Sequence, residues 1–86
     1  MSQPQPACAL SRAAVANIIR ARTGRGWTQQ RLAEAAMLSQ GMVGLLETGQ
    51  RNLTLPTLEK LAWVLGVEAA DLLRADVKDA ATREAR

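Results

Sequence analysis

Histidine, phenylalanine and tyrosine are missing from this 86-residue chain, and cysteine occurs once, as Cys8. A disulfide within the chain is therefore impossible, and a zinc site built from histidine and cysteine has no ligands to use. The only aromatic residues are Trp27 and Trp63, and β-branched residues are few, so a β-sheet would lack its preferred building blocks. No apolar run approaches the ~20 residues needed to span a bilayer. Residues 1–6 are polar and do not form a signal peptide. A soluble, cytoplasmic protein is expected, with no membrane partner and no metal. Catalytic equipment is lacking too. There is no histidine, no setting that would activate a cysteine, no paired-carboxylate pattern and no phosphate-binding glycine loop. Gly24-Arg25-Gly26 is too short for such a loop and ends a helix instead of opening one. Neither an enzyme nor a cofactor is expected.

What the chain does contain is alanine and leucine, which dominate a hydrophobic fraction of 48% and lead the helix-propensity scale. The length suits one domain, with a core small enough that a partner subunit would add stability. The formal net charge is +3, and its distribution is uneven. Residues 12–51 hold six arginines against Glu34 and Glu47, whereas the remainder holds six acidic residues against five basic ones. Such a basic front half suits a polyanion, although on charge alone a solvated basic surface fits equally well.

Hydrophobic spacing divides the chain into five helical segments. Residues 1–9, with Pro4 and Pro6, read as a flexible arm. A first helix is predicted from Ser11 or just before it, with Ala14, Ile18 and Ala21 on its inner face. Gly24 and Gly26 end it, and Arg20, Arg22 and Arg25 suit the negative end of its dipole. Thr28 is the predicted N-cap of a second helix whose apolar stripe is Leu32, Ala33 and Ala36. Only Met37 and Leu38 separate that helix from Ser39, the next N-cap. A third helix is predicted over 40–48, stopped by Gly49. After a polar loop over 50–53, Thr54 caps a fourth helix with Pro56 in its first turn, where an N–H has no intrahelical partner. Leu58, Leu61, Ala62 and Leu65 form its inner face, and Gly66 closes it. A short fifth helix is predicted over 68–73, with Leu72 and Leu73 inward. The domain limits expected are 10–74, followed by a polar tail over 75–86.

Two short helices joined by so brief a turn must cross steeply. The blocks Arg25-Gly26-Trp27-Thr28-Gln29, Leu32-Ala33-Glu34-Ala35-Ala36, Leu38-Ser39-Gln40 and Glu47-Thr48-Gly49 together resemble the Xre/Cro/C1-type helix-turn-helix family. Arg51-Asn52-Leu53-Thr54-Leu55, Leu58, Leu61-Ala62 and Leu65-Gly66-Val67 are similar to that family's fourth helix and its exit. The loop Arg51-Asn52-Leu53-Thr54 also resembles that of restriction–modification controllers. The resemblance implies an all-α, five-helix, phage-repressor-like domain that binds double-stranded DNA as a homodimer and acts as a transcriptional regulator, in most cases a repressor. It implies a pseudo-palindromic target with half-sites about 34 Å apart, and a third helix lying in the major groove.

Individual roles follow on that basis. Thr28 and Gln29 stand at a helix N-terminus, where free N–H groups and the dipole attract a phosphate, or they simply cap the helix. Arg51 and Asn52 look like a second phosphate clamp. At 100° per residue, Val43 and Leu46 face inward, Gln40, Gly41, Gly44 and Thr48 outward, and Leu45 lies at the edge. Gln40 can pair bidentately with adenine, and Leu45 and Met42 can touch thymine methyl groups. Ser39 completes the expected DNA-binding set. Gly41, Gly44 and Leu45 stand where the family usually carries polar readers, and Met37 where it usually has glycine. By resemblance, Arg22 and Glu47 form a partly buried pair that orients the third helix. Trp63 lies on the flank of the fourth helix and, with Leu73, is expected at a dimer interface; Trp63 as a cover for a small core is the alternative. Trp27 is expected to pack between helices. The competing class is a protein-interaction module or antitoxin that reuses the fold with weak base readout.

Overall fold

Why each segment is helical can be read from how it begins and ends. The computed structural model describes residues 9–74 and contains α1 (Ala9–Gly24), α2 (Gln29–Ala36), α3 (Gln40–Glu47), α4 (Leu55–Leu65) and α5 (Ala69–Leu72). No strand occurs among the described residues. Three of the helices start on a hydroxyl cap. Thr28 Oγ1 accepts from the Arg31 amide at 3.0 Å, Ser39 Oγ from the Met42 amide at 3.0 Å, and Thr54 Oγ1 from the Thr57 amide at 3.3 Å. Each such cap satisfies an amide with no intrahelical partner and contributes about 1 kcal/mol.

Four helices end by the same device, α1 on Gly26, α2 on Met37, α3 on Gly49 and α4 on Gly66. Met37 adopts the left-handed conformation (φ 59°, ψ 40°), its N–H donating to Glu34 O at 3.2 Å while Leu38 N–H donates to Ala33 O at 2.8 Å. Gly66 repeats this at the end of α4 (φ 72°, ψ 31°), with Gly66 N–H donating to Trp63 O and Val67 N–H to Ala62 O. This pair of bonds is the Schellman closure, for which glycine carries no steric penalty and methionine does.

The core is where the apolar stripes converge. Ala14 and Ile18 from α1 meet Leu32, Ala33 and Ala36 from α2, Val43 and Leu46 from α3, Leu58, Leu61, Ala62 and Leu65 from α4, and Leu72 from α5. Trp27, Leu38, Met42, Leu53 and Leu73 pack against its margin. Burying a leucine side chain contributes roughly 1.5–3 kcal/mol, so α4, with three buried leucines, is the main hydrophobic spine. Polar fastening is added by Asn17, whose Nδ2 donates to the carbonyls of Leu72 and Arg74, both at 2.8 Å, tying α1 to the end of α5.

The structure corrects the expected boundaries in three places. α1 is already helical at Ala9, the first described residue and the last one assigned to the arm. α3 stops at Glu47, with Thr48 as its C-cap. α5 spans only Ala69–Leu72, because Glu68 makes no side-chain capping bond and Leu73 already serves as the C-cap. The rest of the arm, including Cys8, and the tail over 75–86 lie outside the described residues.

Candidate functional site

The end of α1, the start of α2 and the end of α3 meet at one polar knot. Arg22 Nε donates to Glu47 Oε2 at 2.8 Å and Arg22 Nη2 to Glu47 Oε1 at 3.0 Å, a two-pronged pairing of guanidinium with carboxylate. Arg22 Nη1 donates in addition to the carbonyl of Trp27 at 2.8 Å. Gln29 Nε2 then donates to Glu47 Oε1 at 2.9 Å. The two charged side chains are only 13% and 6% exposed, so screening by solvent is slight and loss of either partner would strand the other. Three helices thereby share one carboxylate.

Around this knot the expected site residues are arranged as follows. Thr28 caps α2, and the amides of Gln29 and Gln30 have no acceptor among the described residues. Gln29 is half-buried, its side-chain donor committed to Glu47. Gln40 and Gly41 are exposed in the first turn of α3, behind the Ser39 cap. Leu45 is 39% exposed, an apolar patch one turn further on. Gly44 departs from the outward position expected of it. It is half-buried, and a Cβ placed there would lie 3.6 Å from Gln29 Oε1, ordinary contact with the start of α2. Thr48 is exposed, with its hydroxyl donating to Leu45 O at 3.3 Å and accepting from Gln50 Nε2 at 3.1 Å.

The loop after α3 supplies a second group of donors. Arg51 and Asn52 are exposed, and neither their amides nor their side chains have a partner among the described residues. The Arg51 guanidinium and the amides at the start of α2 thus offer positive charge at two places beside α3.

Trp63 stands apart on the outer face of α4, 84% exposed, while Leu73 is half-buried against the core margin. The two residues expected at one interface therefore differ sharply in accessibility. Trp27 is half-buried, with the guanidinium carbons of Arg31 and Arg25 at 4.9 and 5.4 Å from its ring centroid. Arg25 also donates to the Leu65 carbonyl at the end of α4. Sequence reasoning did not identify this bond or the Gln29–Glu47 bond. Both join residues far apart in the chain, and the only local signal was a surplus of polar groups around Trp27.

Among the described residues no cluster of three potential metal ligands occurs, and no helix is long and apolar enough to cross a membrane.

Residues 18–72 match the model of the helix-turn-helix family HTH_3. A curated relative from Neisseria meningitidis serogroup B, named as a Neisseria hypothetical transcription factor, is 38% identical over 52 residues. That match covers 60% of this chain and 49% of the relative, about half its length. The crystal structure of the hypothetical transcription factor NHTF from Neisseria superposes with a TM-score of 0.77 at 26% identity, covering 95% of this chain and 97% of that one. The restriction–modification controller protein C.AhdI from Aeromonas hydrophila gives a TM-score of 0.69 at 34% identity, covering 76% and 98%. SinR, a master regulator for biofilm formation solved in complex with DNA, gives 0.66 at 27% identity, covering 71% and 98%.

Proposed function

The chain belongs to the helix-turn-helix family of DNA-binding transcription regulators, and we propose that it is a sequence-specific repressor that binds double-stranded DNA as a homodimer. The observation that carries this reading is the Arg22–Glu47–Gln29 knot, which holds α3 at a set angle to the donor-rich start of α2. Among solved relatives, the DNA complex of SinR supports the same class of target.

In this reading α3 lies in the major groove. Gln40 pairs with an adenine edge, while Leu45 and the half-buried Met42 meet thymine methyl groups. Gly41, without a side chain, lets the helix backbone come close to the duplex, while Gly44 leaves room for Gln29 at the start of α2. Thr28, the amides at the start of α2 and the Ser39 hydroxyl hold phosphates on one side. Thr48, Arg51 and Asn52 hold them on the other. Phosphate contacts position the protein, and the few base contacts specify the site. Trp63 anchors the second copy from the flank of α4, and Leu73 is the second residue of that interface. An aromatic anchor of this kind is common in interface cores. Trp63→Ala is expected to raise the dimer dissociation constant in sedimentation without unfolding the monomer, since the indole is almost wholly exposed.

Selection from a random duplex pool tests the reading directly. Enrichment of an inverted repeat is expected, with affinity falling as salt rises at a log–log slope of about −0.9 per phosphate contacted. A chain that ignores every duplex at low ionic strength would overturn it and return the exposed Leu45 and the glycine-lined surface of α3 to protein binding.

A further inference from the structure

We propose that the cleft between α1 and the loop joining α3 to α4 is a binding site for an amphipathic monocarboxylate, a small acid with an apolar tail. The cleft encloses about 420 Å³, within the range usual for small-molecule sites. Its wall is hydrocarbon: Val15, Ala16 and Ile19 along α1 and Leu53 from the loop. Its rim is cationic, with Arg12 at one side and Arg51 at the other.

Among the described residues the single acidic one lining the cleft is Glu47, and both its oxygens are already engaged by Arg22 and Gln29. Among the described residues no free negative charge therefore opposes an anion here, and Arg51 and the Asn52 amide have no partner among them. A planar guanidinium matches a carboxylate with two parallel hydrogen bonds. The two hollows beside Trp63 differ in just this respect, being rimmed by Glu59, Glu68 and Asp71. A tail-less anion would leave the hydrocarbon wall of the cleft bare, and an uncharged lipid would leave Arg51 unused. Both features are met only by a molecule that carries both chemistries.

Occupancy has a consequence for the proposed function. Arg51 is also a phosphate contact in the DNA-binding reading, so carboxylate and duplex compete for one guanidinium, and each weakens the other by the same factor. This coupling rests on that reading, but the site itself does not.

The test is a methyl-resolved NMR titration of the full chain with octanoate, octanol and inorganic phosphate. Octanoate is expected to shift the Val15, Ile19 and Leu53 methyl signals saturably, with octanol about tenfold weaker, the fold-change of one charge-assisted hydrogen bond. Phosphate should leave those methyl signals unmoved. Arg51→Gln should weaken octanoate binding by a similar factor. Ala16→Phe, which fills the cleft from an exposed position, should abolish the shifts while the rest of the spectrum stays in place. Octanol binding as well as octanoate, shifts scattered over the surface, or a folded Ala16→Phe chain that still binds would each overturn the site. Duplex affinity measured with and without octanoate reads the coupling. A loss seen in the wild-type chain but not in Ala16→Phe supports it, and independent binding of the two overturns it. If no duplex binds at all, the DNA-binding reading fails while the methyl titration still decides the cleft.

Discussion

Two of the four helix ends closed in this way lead through a connection of only three residues into the next helix, with different results. From α2 to α3 the connection is Met37, Leu38 and Ser39; from α4 to α5 it is Gly66, Val67 and Glu68. Both open with a left-handed residue and close with the same two hydrogen bonds. Beyond the turn they diverge. The first corner leads into an eight-residue helix capped by Ser39 and locked by Glu47 to Arg22 and Gln29. The second leads into four helical residues with no side-chain cap. Its one nearby ion pair among the described residues, Arg74 with Asp71 at 3.4 Å, is largely exposed and therefore weak. Turn geometry alone thus does not decide how the following helix is held. What separates the two is how firmly the second helix is held.

The largest expected effect comes from unlocking the first corner. Glu47→Ala leaves the Arg22 guanidinium buried without its partner and should cost about 3–5 kcal/mol in urea unfolding, with duplex binding lost in parallel. Asp71→Ala, the corresponding cut at the second corner, should leave the unfolding midpoint where it is. A small loss for Glu47→Ala would show that both corners are equally loose. Next in size is Gly66→Ala. A Cβ there takes up a left-handed conformation and comes within 2.8 Å of Arg25 Nη2, endangering the bond to Leu65 O. The expected loss is about 2 kcal/mol. Combining it with Arg25→Ala should recover the steric part, because the two changes act on one contact. Ser39→Ala follows, with a loss of about 1 kcal/mol from an unsatisfied amide; thermal unfolding resolves it. The smallest change has the opposite sign. Met37 is 87% exposed and packs against little, so Met37→Gly removes strain without removing a contact and should stabilise by about 0.5 kcal/mol. A fall in melting temperature instead would mean that the methionine side chain contributes more than its exposure suggests.

This contrast also shows which features sequence alone could reveal. Thr28, Ser39 and Thr54 announce helix starts because a hydroxyl just ahead of an apolar stripe has one good use. The inward faces of α2, α3 and α4 were legible for a similar reason, since spacing along a helix maps directly onto direction. Arg22 and Glu47 could be paired only by resemblance, and the structure places them 2.8 Å apart. The reach of Asn17 to the end of α5, of Arg25 to Leu65 and of Gln29 to Glu47 left no trace in local pattern, because each bridges elements that meet only after folding. The length of α5 was overestimated because leucines at 72 and 73 prolong an apolar pattern that no cap supports. The cleft beneath Arg51 was invisible for the same reason as the long-range bonds, since its walls come from opposite halves of the domain.

The placement of the two indoles has an optical consequence. With no tyrosine in the chain, near-ultraviolet excitation reaches only Trp27 and Trp63. One lies half-buried near two guanidinium groups, the other open to water. A collisional quencher such as acrylamide should therefore silence Trp63 first, leaving Trp27 as an unlabelled fluorescent reporter at the junction of α1 and α2.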